Sequence, residues 1–470
     1  MPQVDLDQIQ GLVLREYEMG FAKYLFYRWD TPDRGRRWLK ALLAQQLTFC
    51  SPWPSPTPEH ALNVALTFQG LQAFGLAPAS LATFPEEFKS GMAQRAAIVG
   101  DYGESAPACW EMGWKSSDIH AVVLIHARSA DRRDRFASTV AQALNDTGAT
   151  MLFEQDAREL DEGKEHFGFK DGISQPWVNV AGLHSNPGPD VMGGGKRTKV
   201  GWQPLEVGEF VLGYEDESDQ VPAFPSPVAL GRNGSYLVVR KLGKHVDRFN
   251  LVMKEQAEAI WPGDPEGSKR LAALMMGRGK DGRPVDKANT VNDFHYENDP
   301  SGTRCPLGAH IRRTNLREDT DREGSLGSNR HRIIRRGLHY EDPNAGTWDC
   351  GSMFIAVCAS ISRQFEFLQQ FWVNDGEFLG LDRDERDPII GVNRDGRDRR
   401  EDGSHPERKR KFTMPGKPVP FVFDLPEFVR VRGGGYFFAP GRAALEGLAN
   451  GKFCQSRANT KTRRVKGASR

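Results

Sequence analysis

Apolar residues alternate along "HALNVALTF" (60–68), where Leu62, Val64, Leu66 and Phe68 repeat every second position. That is the period of a half-buried strand, and "QGLQAFGL" after it reads as a helix entry. Upstream, Trp38, Leu39, Leu42, Leu43 and Leu47 form a helical stripe. "DIHAVVLIHA" (118–127) predicts a second strand, so the first half mixes strands with helices and is not a bundle. The second half repeats the mixture. "GSYLVVRKL" (234–242) and "GSMFIAVCAS" (351–360) read as strands, and the latter runs into "ISRQFEFLQQFW", where Ile361, Phe365, Leu368 and Trp372 fall at helical spacing. A last strand, "GGGYFFAPG" (433–441), precedes a short helix. Two α+β halves of similar content predict a duplicated architecture, although the letters themselves carry no repeat. The Pro-, Gly- and Asp-rich stretch 184–228 is the expected boundary.

Two segments read as solvated excursions. Residues 382–412 are mostly charged around one apolar island, Pro388 to Gly391. The last twenty residues hold seven basic side chains and no acidic one, a pattern expected of a solvated tail. "GGGKR" (193–197) has the wrong spacer for a phosphate loop and puts Arg197 where a magnesium-holding hydroxyl must stand.

The chain has 470 residues, 39% of them hydrophobic, enough for real cores in two or three domains. Lys and Arg number 63 against 62 Asp and Glu, so no global field recruits nucleic acid or an anionic membrane, and small-molecule partners are expected. The start, "MPQVDLDQIQG", lacks a cationic segment leading into an apolar run, and nowhere do about 18 uninterrupted apolar residues occur. A cytoplasmic protein is expected. Six scattered cysteines without paired spacing argue against a disulfide framework, a zinc ribbon or a covalent haem attachment, and no separate metal cluster stands out.

Three stretches could carry chemistry: "EHFGFKDGISQPW" (165–177), "CPLGAHIRRTN" (305–315) and "RIIRRGLHY" (332–340). Taken singly, each has a bland reading. Asp171 in a Gly-x-x-Asp-Gly turn would bond nearby backbone N–H groups, His310 would be a hydrogen-bonded structural histidine, and Arg335 and Arg336 would be surface cations. Their order is more specific. Phe-Gly-Phe-x-Asp-Gly-Ile, then Ala-His-Ile-Arg-x-x-Asn, then Arg-Arg-Gly with a tyrosine shortly after resembles the dye-decolourising haem peroxidases, in particular their long, cytosolic bacterial branch. "IQGLVLREY", "GEFVLGYEDE", "RQFEFLQQFW" and "GGGYFFAPG" are similar to family signatures too, so the resemblance covers nearly the whole chain. One departure is that Asn315, Leu316 and Arg317 stand where the family commonly has Asn-Pro-Arg, which touches the local turn and not the histidine.

The resemblance implies an α+β fold of two ferredoxin-like domains. Residues 1–220 would carry the Gly-x-x-Asp-Gly motif and residues 221–470 the histidine and arginine, with one b-type haem per chain between them. His310 would be the iron ligand, and Asp387, before the apolar island, would hold its other ring nitrogen. Asp171 would act as the acid–base group on hydrogen peroxide, which must lose a proton from one oxygen and gain one on the other. A carboxylate stays ionised at a pH that would disable a histidine base, so an acid-shifted optimum is expected. Gly168 and Gly172 fit a turn that brings backbone close to the cofactor. Arg335 would stabilise negative charge as the O–O bond breaks, Arg336 would be structural or face a propionate, and the 351–355 strand would dry the cavity.

The implied activity is peroxide reduction with oxidation of dyes, phenolics and similar one-electron donors through a ferryl species. Tyr340, or Trp372, would pass electrons from bulky donors held at the surface. A homodimer is implied as well. Four alternatives stay open: a haem-handling protein with little turnover, thiolate ligation through Cys305-Pro306, catalase-like peroxide removal, and a haem-free interaction scaffold.

Overall fold

The computed structural model describes residues 3–53, 57–115, 118–181, 193–198, 201–286, 290, 292–317, 326–342, 350–382, 384–393, 410–416 and 420–454. Much of the charged excursion and nearly all of the basic tail lie outside the described residues, as does part of the expected domain boundary.

The first half builds β1 (Phe21–Arg28), α1 (Pro32–Leu43), β2 (His60–Leu66), β3 (Ala121–Ala127), α2 (Ala130–Asn145) and β4 (Thr150–Arg158). All its pairings are antiparallel, in the order β4-β1-β3-β2. Local chemistry fixes the helix starts. Thr31 accepts a hydrogen bond from the Arg34 N–H with Pro32 at the first turn of α1, and Ser129 does the same for Arg132 in α2. The predicted stripe on α1 is buried at Trp38, Leu39 and Leu42, whereas Leu47 lies beyond the helix end.

The second half repeats the plan with β5 (Ser235–Lys244), α3 (Val246–Ile260), α4 (Gly267–Met276), the short α5 (His310–Thr314), a split strand β6 (Ile334–Arg335) and β7 (Leu338–Glu341), β8 (Cys350–Cys358), and β9 (Val429–Ala439), followed by α6 (Arg442–Ala449). Its order is β9-β5-β8 with β6 and β7 both on the far edge of β8. In both halves the strands run fourth, first, third, second, which is the ferredoxin-like arrangement, and the duplication expected from the pattern is present.

The two sheets meet edge to edge. β4 pairs with β7 at Arg158 and His339, and β9 pairs with β2 at Phe438 and Leu66, so the strands close into one antiparallel barrel. One apolar core runs through both halves, from Leu25 and Val123 to Val239 and Phe437. The segment after residue 361 differs in kind from the α-helix its period predicts. Ser362–Glu366 and Leu368–Val373 form wide π-helical turns, yet Ile361, Phe365, Leu368 and Trp372 are buried as the stripe requires.

Candidate active site

A cavity lies against the second sheet. It is walled by residues 99–105 and 165–174 from the earlier part of the chain, and by β5, β7, β8, β9, α5 and residues 389–392 from the later part. Asp171 enters it from a tightly pinned loop. The Gly168 N–H donates to the Glu165 carbonyl at 2.8 Å, the Asp171 N–H to the Gly163 carbonyl at 2.7 Å, and Phe167 and Phe169 anchor the loop in a core. Gly168 and Gly172 sit at φ +86° and +74°, conformations that a side chain rarely tolerates. The carboxylate of Asp171 accepts from the Gly172 N–H through Oδ1 at 2.7 Å and lies 3.2 Å from His339 Nε2 through Oδ2. About half of its side-chain surface (49%) is open, and it is among the groups lining the cavity. Burial opposes its charge, but His339, the Arg335 guanidinium and the Gly172 N–H outweigh burial and hold the acid well below the ordinary carboxylate range.

Strand alternation places the next residues. Arg335, Gly337 and His339 line the cavity, while the residues between them do not. Gly337 is required by close approach, since a Cβ there would lie 2.2 Å from the Met353 carbonyl oxygen. The Arg335 guanidinium donates through Nη2 to the Ile173 carbonyl at 2.6 Å, and its backbone is clasped by Gln175, which accepts from the Arg335 N–H at 3.1 Å and donates to its carbonyl at 2.7 Å.

Arg336 is not brought into the site. It points toward the first half, where its Nε donates to the Leu12 carbonyl at 3.1 Å, so the expectation that it faces a propionate gives way to a structural role. Tyr340, on the same alternate face, is 1% exposed, and Trp372 packs with Leu316, Leu368 and Phe378 at 8% exposure. Neither ring is at the surface, where direct oxidation of bulky donors would require it.

His310 is the first residue of α5 and also lines the cavity. Its Nδ1 is 2.9 Å from Asp387 Oδ2. Asp387 is fully buried, and its Oδ1 accepts from the Ile389 and Ile390 N–H groups, both at 2.9 Å. Burial works against the Asp387 charge, yet His310, the Ile390 N–H and nearby Arg313 outweigh it and keep the acid below its ordinary range. An ionised carboxylate can only accept, so a neutral imidazole here would carry its proton on Nδ1 and present the Nε2 lone pair. The apolar island is therefore part of the site, because Ile389 and Ile390 line the cavity beside the histidine.

These residues fit a haem. Among the described residues no group of three or more His, Cys, Asp or Glu could hold a bare metal ion, but a porphyrin iron needs one imidazole from the protein. The cavity walls are largely apolar, with Leu242, Phe354 and Leu368 among them. Arg278 also lines it, and its Nη1 is buried with no hydrogen-bond partner among the described residues, which suits an anionic propionate. Cys305 does not line the cavity, and burial pushes its thiol up to about 12, so thiolate ligation is not supported. His339 and Arg278 were not anticipated from the sequence. His339 was reachable, since it follows Arg335 at a spacing of four on a strand.

Comparison with known proteins agrees with fold and site. Residues 8–154 match the family described as DyP dimeric alpha+beta barrel domain, and residues 221–380 match Dyp-type peroxidase, C-terminal. The chain is 31% identical to Peroxidase 2 of Mycetinis scorodonius over 83% of this chain and 76% of that one. It is 30% identical to a dye-decolorizing peroxidase of Mycena epipterygia over 95% and 87% of the two chains. It is also 30% identical to the multifunctional dye peroxidase DyP2 of an Amycolatopsis species over 82% of each. Relatives are thus fungal as well as bacterial. Among solved structures, an ancestral D-type dye-decolorizing peroxidase superposes with a TM-score of 0.76 at 26% identity, covering 95% of this chain and 100% of that one.

Fold and site define a haem-dependent peroxidase built on a duplicated ferredoxin-like barrel. The chain belongs to the dye-decolourising peroxidase family.

Proposed function

We propose that this haem peroxidase divides its chemistry among His310, Asp171 and Arg335, with Asp387 positioning the first. The observation that carries the assignment is one cavity lined at once by the His310–Asp387 pair and by Asp171 with Arg335. His310 would hold the iron through Nε2. Asp171 would take a proton from one peroxide oxygen onto its carboxylate and return it to the other, which leaves as water. Arg335, anchored on the Ile173 carbonyl, directs a charge that cannot be titrated away toward the oxygen that gains electrons. When bound, haem supplies the iron that accepts a peroxide oxygen and the oxidising equivalents that donors then neutralise one electron at a time. Arg278 would hold a propionate, and the apolar walls would exclude bulk water.

The donors are small phenols and dyes. A structural relative at 25% identity is described in complex with 2,6-dimethoxyphenol, which supports the phenolic class. Because Tyr340 and Trp372 are buried, they would serve as inner steps of a relay and not as the contact with bulky donors. We place the domain boundary near residue 220, ahead of β5, and infer a cytoplasmic homodimer. Cys50, Cys109, Cys305, Cys358 and Cys454 form no disulfide among the described residues, as suits a reducing compartment, and the matched N-terminal family domain is described as dimeric. No helix among the described residues is long and apolar enough to cross a membrane.

The test is steady-state oxidation of a phenol and of an anthraquinone dye by haem-loaded protein. Asp171→Asn should lower kcat/KM for peroxide roughly 10²- to 10⁴-fold and Arg335→Leu roughly 10²- to 10³-fold. His310→Ala should lose or alter the Soret band. Wild-type rates in Asp171→Asn would remove the acid–base assignment.

A further inference from the structure

The Asp171 carboxylate does not stand alone. His339 Nε2 is 3.2 Å from Asp171 Oδ2, and His339 Nδ1 is 3.0 Å from Ser352 Oγ. The imidazole is 6% exposed, and the backbone of residue 339 is held in the sheet on both sides, against Ser352 on β8 and Arg158 on β4. We propose that His339 is a positioning residue of the peroxide-activating acid–base group, holding Asp171 through Nε2 while Ser352 fixes the imidazole through Nδ1. This rests on the reading of Asp171 as that group.

The hydrogen-bond chemistry fixes the tautomer of a neutral imidazole. An ionised carboxylate accepts, so Nε2 must donate, and in the neutral imidazole Nδ1 must then accept from the Ser352 hydroxyl. One bond to each Asp171 oxygen, from Gly172 N–H and from His339, aims the remaining lone pairs. In the reaction one peroxide O–H breaks and its proton goes to Asp171. The Nε2–H bond to Oδ2 weakens on that transfer and favours passing the same proton to the departing oxygen, so His339 gains and loses nothing net.

The other charges around the pair are largely matched among themselves. Arg335 and Arg278 act on Asp171 as cations. Lys244 pairs with Glu165 at 2.7 Å and Arg158 with Glu341 at 3.0 Å. The His166 ring packs edge-on against His339 with centroids 5.4 Å apart, and burial pushes its pKa down to about 4, so it is neutral beside the pair at neutral pH and is a further group that charges near the acid limb.

Removing the imidazole should let Asp171 rise toward the ordinary carboxylate value of about 4. Cyanide reports this without turnover, because neutral hydrogen cyanide must give its proton to the base before binding ferric haem. Association rates are measured against pH for haem-loaded wild type, His339→Leu, His339→Gln, Ser352→Ala and Asp171→Asn. An acid limb should appear near the ordinary carboxylate value of about 4 in His339→Leu, where wild type stays flat down to the onset of acid unfolding, and His339→Gln, whose amide can still donate, should recover most of the wild-type profile. Nitrogen-15 spectra of the haem-free protein should show His339 as the Nε2–H tautomer in wild type and a tautomer mixture in Ser352→Ala. If His339→Leu does not fold, the His339→Gln profile and the Ser352→Ala spectrum decide. A neutral His339 carrying its proton on Nδ1 overturns the proposal. So does a His339→Leu profile superimposed on wild type while Asp171→Asn loses association. If Asp171→Asn also matches wild type, the acid–base reading falls and this one with it.

Discussion

Replacing Asp387 by Asn tests how the histidine is held. The substitution keeps the volume of a fully buried side chain and removes its charge. Oδ1 of Asp387 accepts two backbone N–H bonds at 2.9 Å, from Ile389 and Ile390, and an asparagine oxygen would keep that post. Its NH₂ would then face His310 Nδ1, now 2.9 Å from a carboxylate oxygen, and force that nitrogen to accept. The imidazole proton moves to Nε2, the nitrogen needed for iron. Rotating the amide instead leaves the two backbone N–H groups facing donors. The first orientation loses one charge-assisted hydrogen bond, about 1.5–3 kcal/mol, and the rotated one loses the two backbone bonds instead. This agrees with the roughly 10- to 100-fold weaker metal binding typical of such losses. The assay is transfer of haem from loaded protein to an excess of apomyoglobin, followed at the Soret band, together with the ferric–ferrous reduction potential. Haem retention should fall 10- to 100-fold and the potential should rise. An Asp387→Asn protein that keeps haem as tightly, at an unchanged potential, would refute the tautomer argument.

The pH dependence follows from carboxylates whose folded-state pKa is depressed, such as Asp387, Asp171 and Asp216, the last held to about 2 where Ser218 and Arg363 outweigh burial. Such groups add stability above the ordinary value of about 4 and lose it as pH falls through the folded value. Peroxide reactivity should therefore persist in mild acid, with acid unfolding by circular dichroism setting in below about pH 4; activity peaking at alkaline pH would contradict Asp171 as base. Exposed Cys109 should react with a thiol reagent in the native protein, whereas Cys50 and Cys305, pushed up to about 12 by burial, should react only after unfolding. Cys305→Ser should leave the ferrous carbonyl spectrum unchanged, and a spectral change would revive thiolate ligation. Tyr340→Phe should slow bulky-dye turnover without slowing the reaction with peroxide, as stopped-flow would show; equal effects on both would exclude it from the relay.

Much of the site was legible because it is local. Asp171, His310 and Arg335 each sit in a motif, and Asp387 is marked by the apolar island that follows it. What the motifs hid was direction. In "RRGLHY" the period of two puts Arg335, Gly337 and His339 on one face and Arg336 and Tyr340 on the other, so one assignment decides the rest. Leaving a propionate-facing role open for Arg336 beside Arg335 overlooked that rule. The strands β1 and β4 escaped for a different reason: β4 is half exposed at the seam, and its alternation is weak. Arg278 carries no signal at all, since its importance comes from the cavity around it and not from its neighbours in sequence. The π-helical turns after residue 361 were likewise invisible, because a buried stripe reads alike in α- and π-helical backbone over so few residues.

The barrel closes through a pairing between residues 66 and 438, and the cavity draws on positions from Val99 to Val431. Long-range closure of this kind is made late. A growing chain on the ribosome would already have produced His310 and Asp387 while the wall supplied by Val429 and Val431 was still missing. The complete cavity is therefore available only once synthesis ends, and a protein shortened ahead of its last strand would carry His310 and Asp387 in a cavity open where Val429 and Val431 should close it.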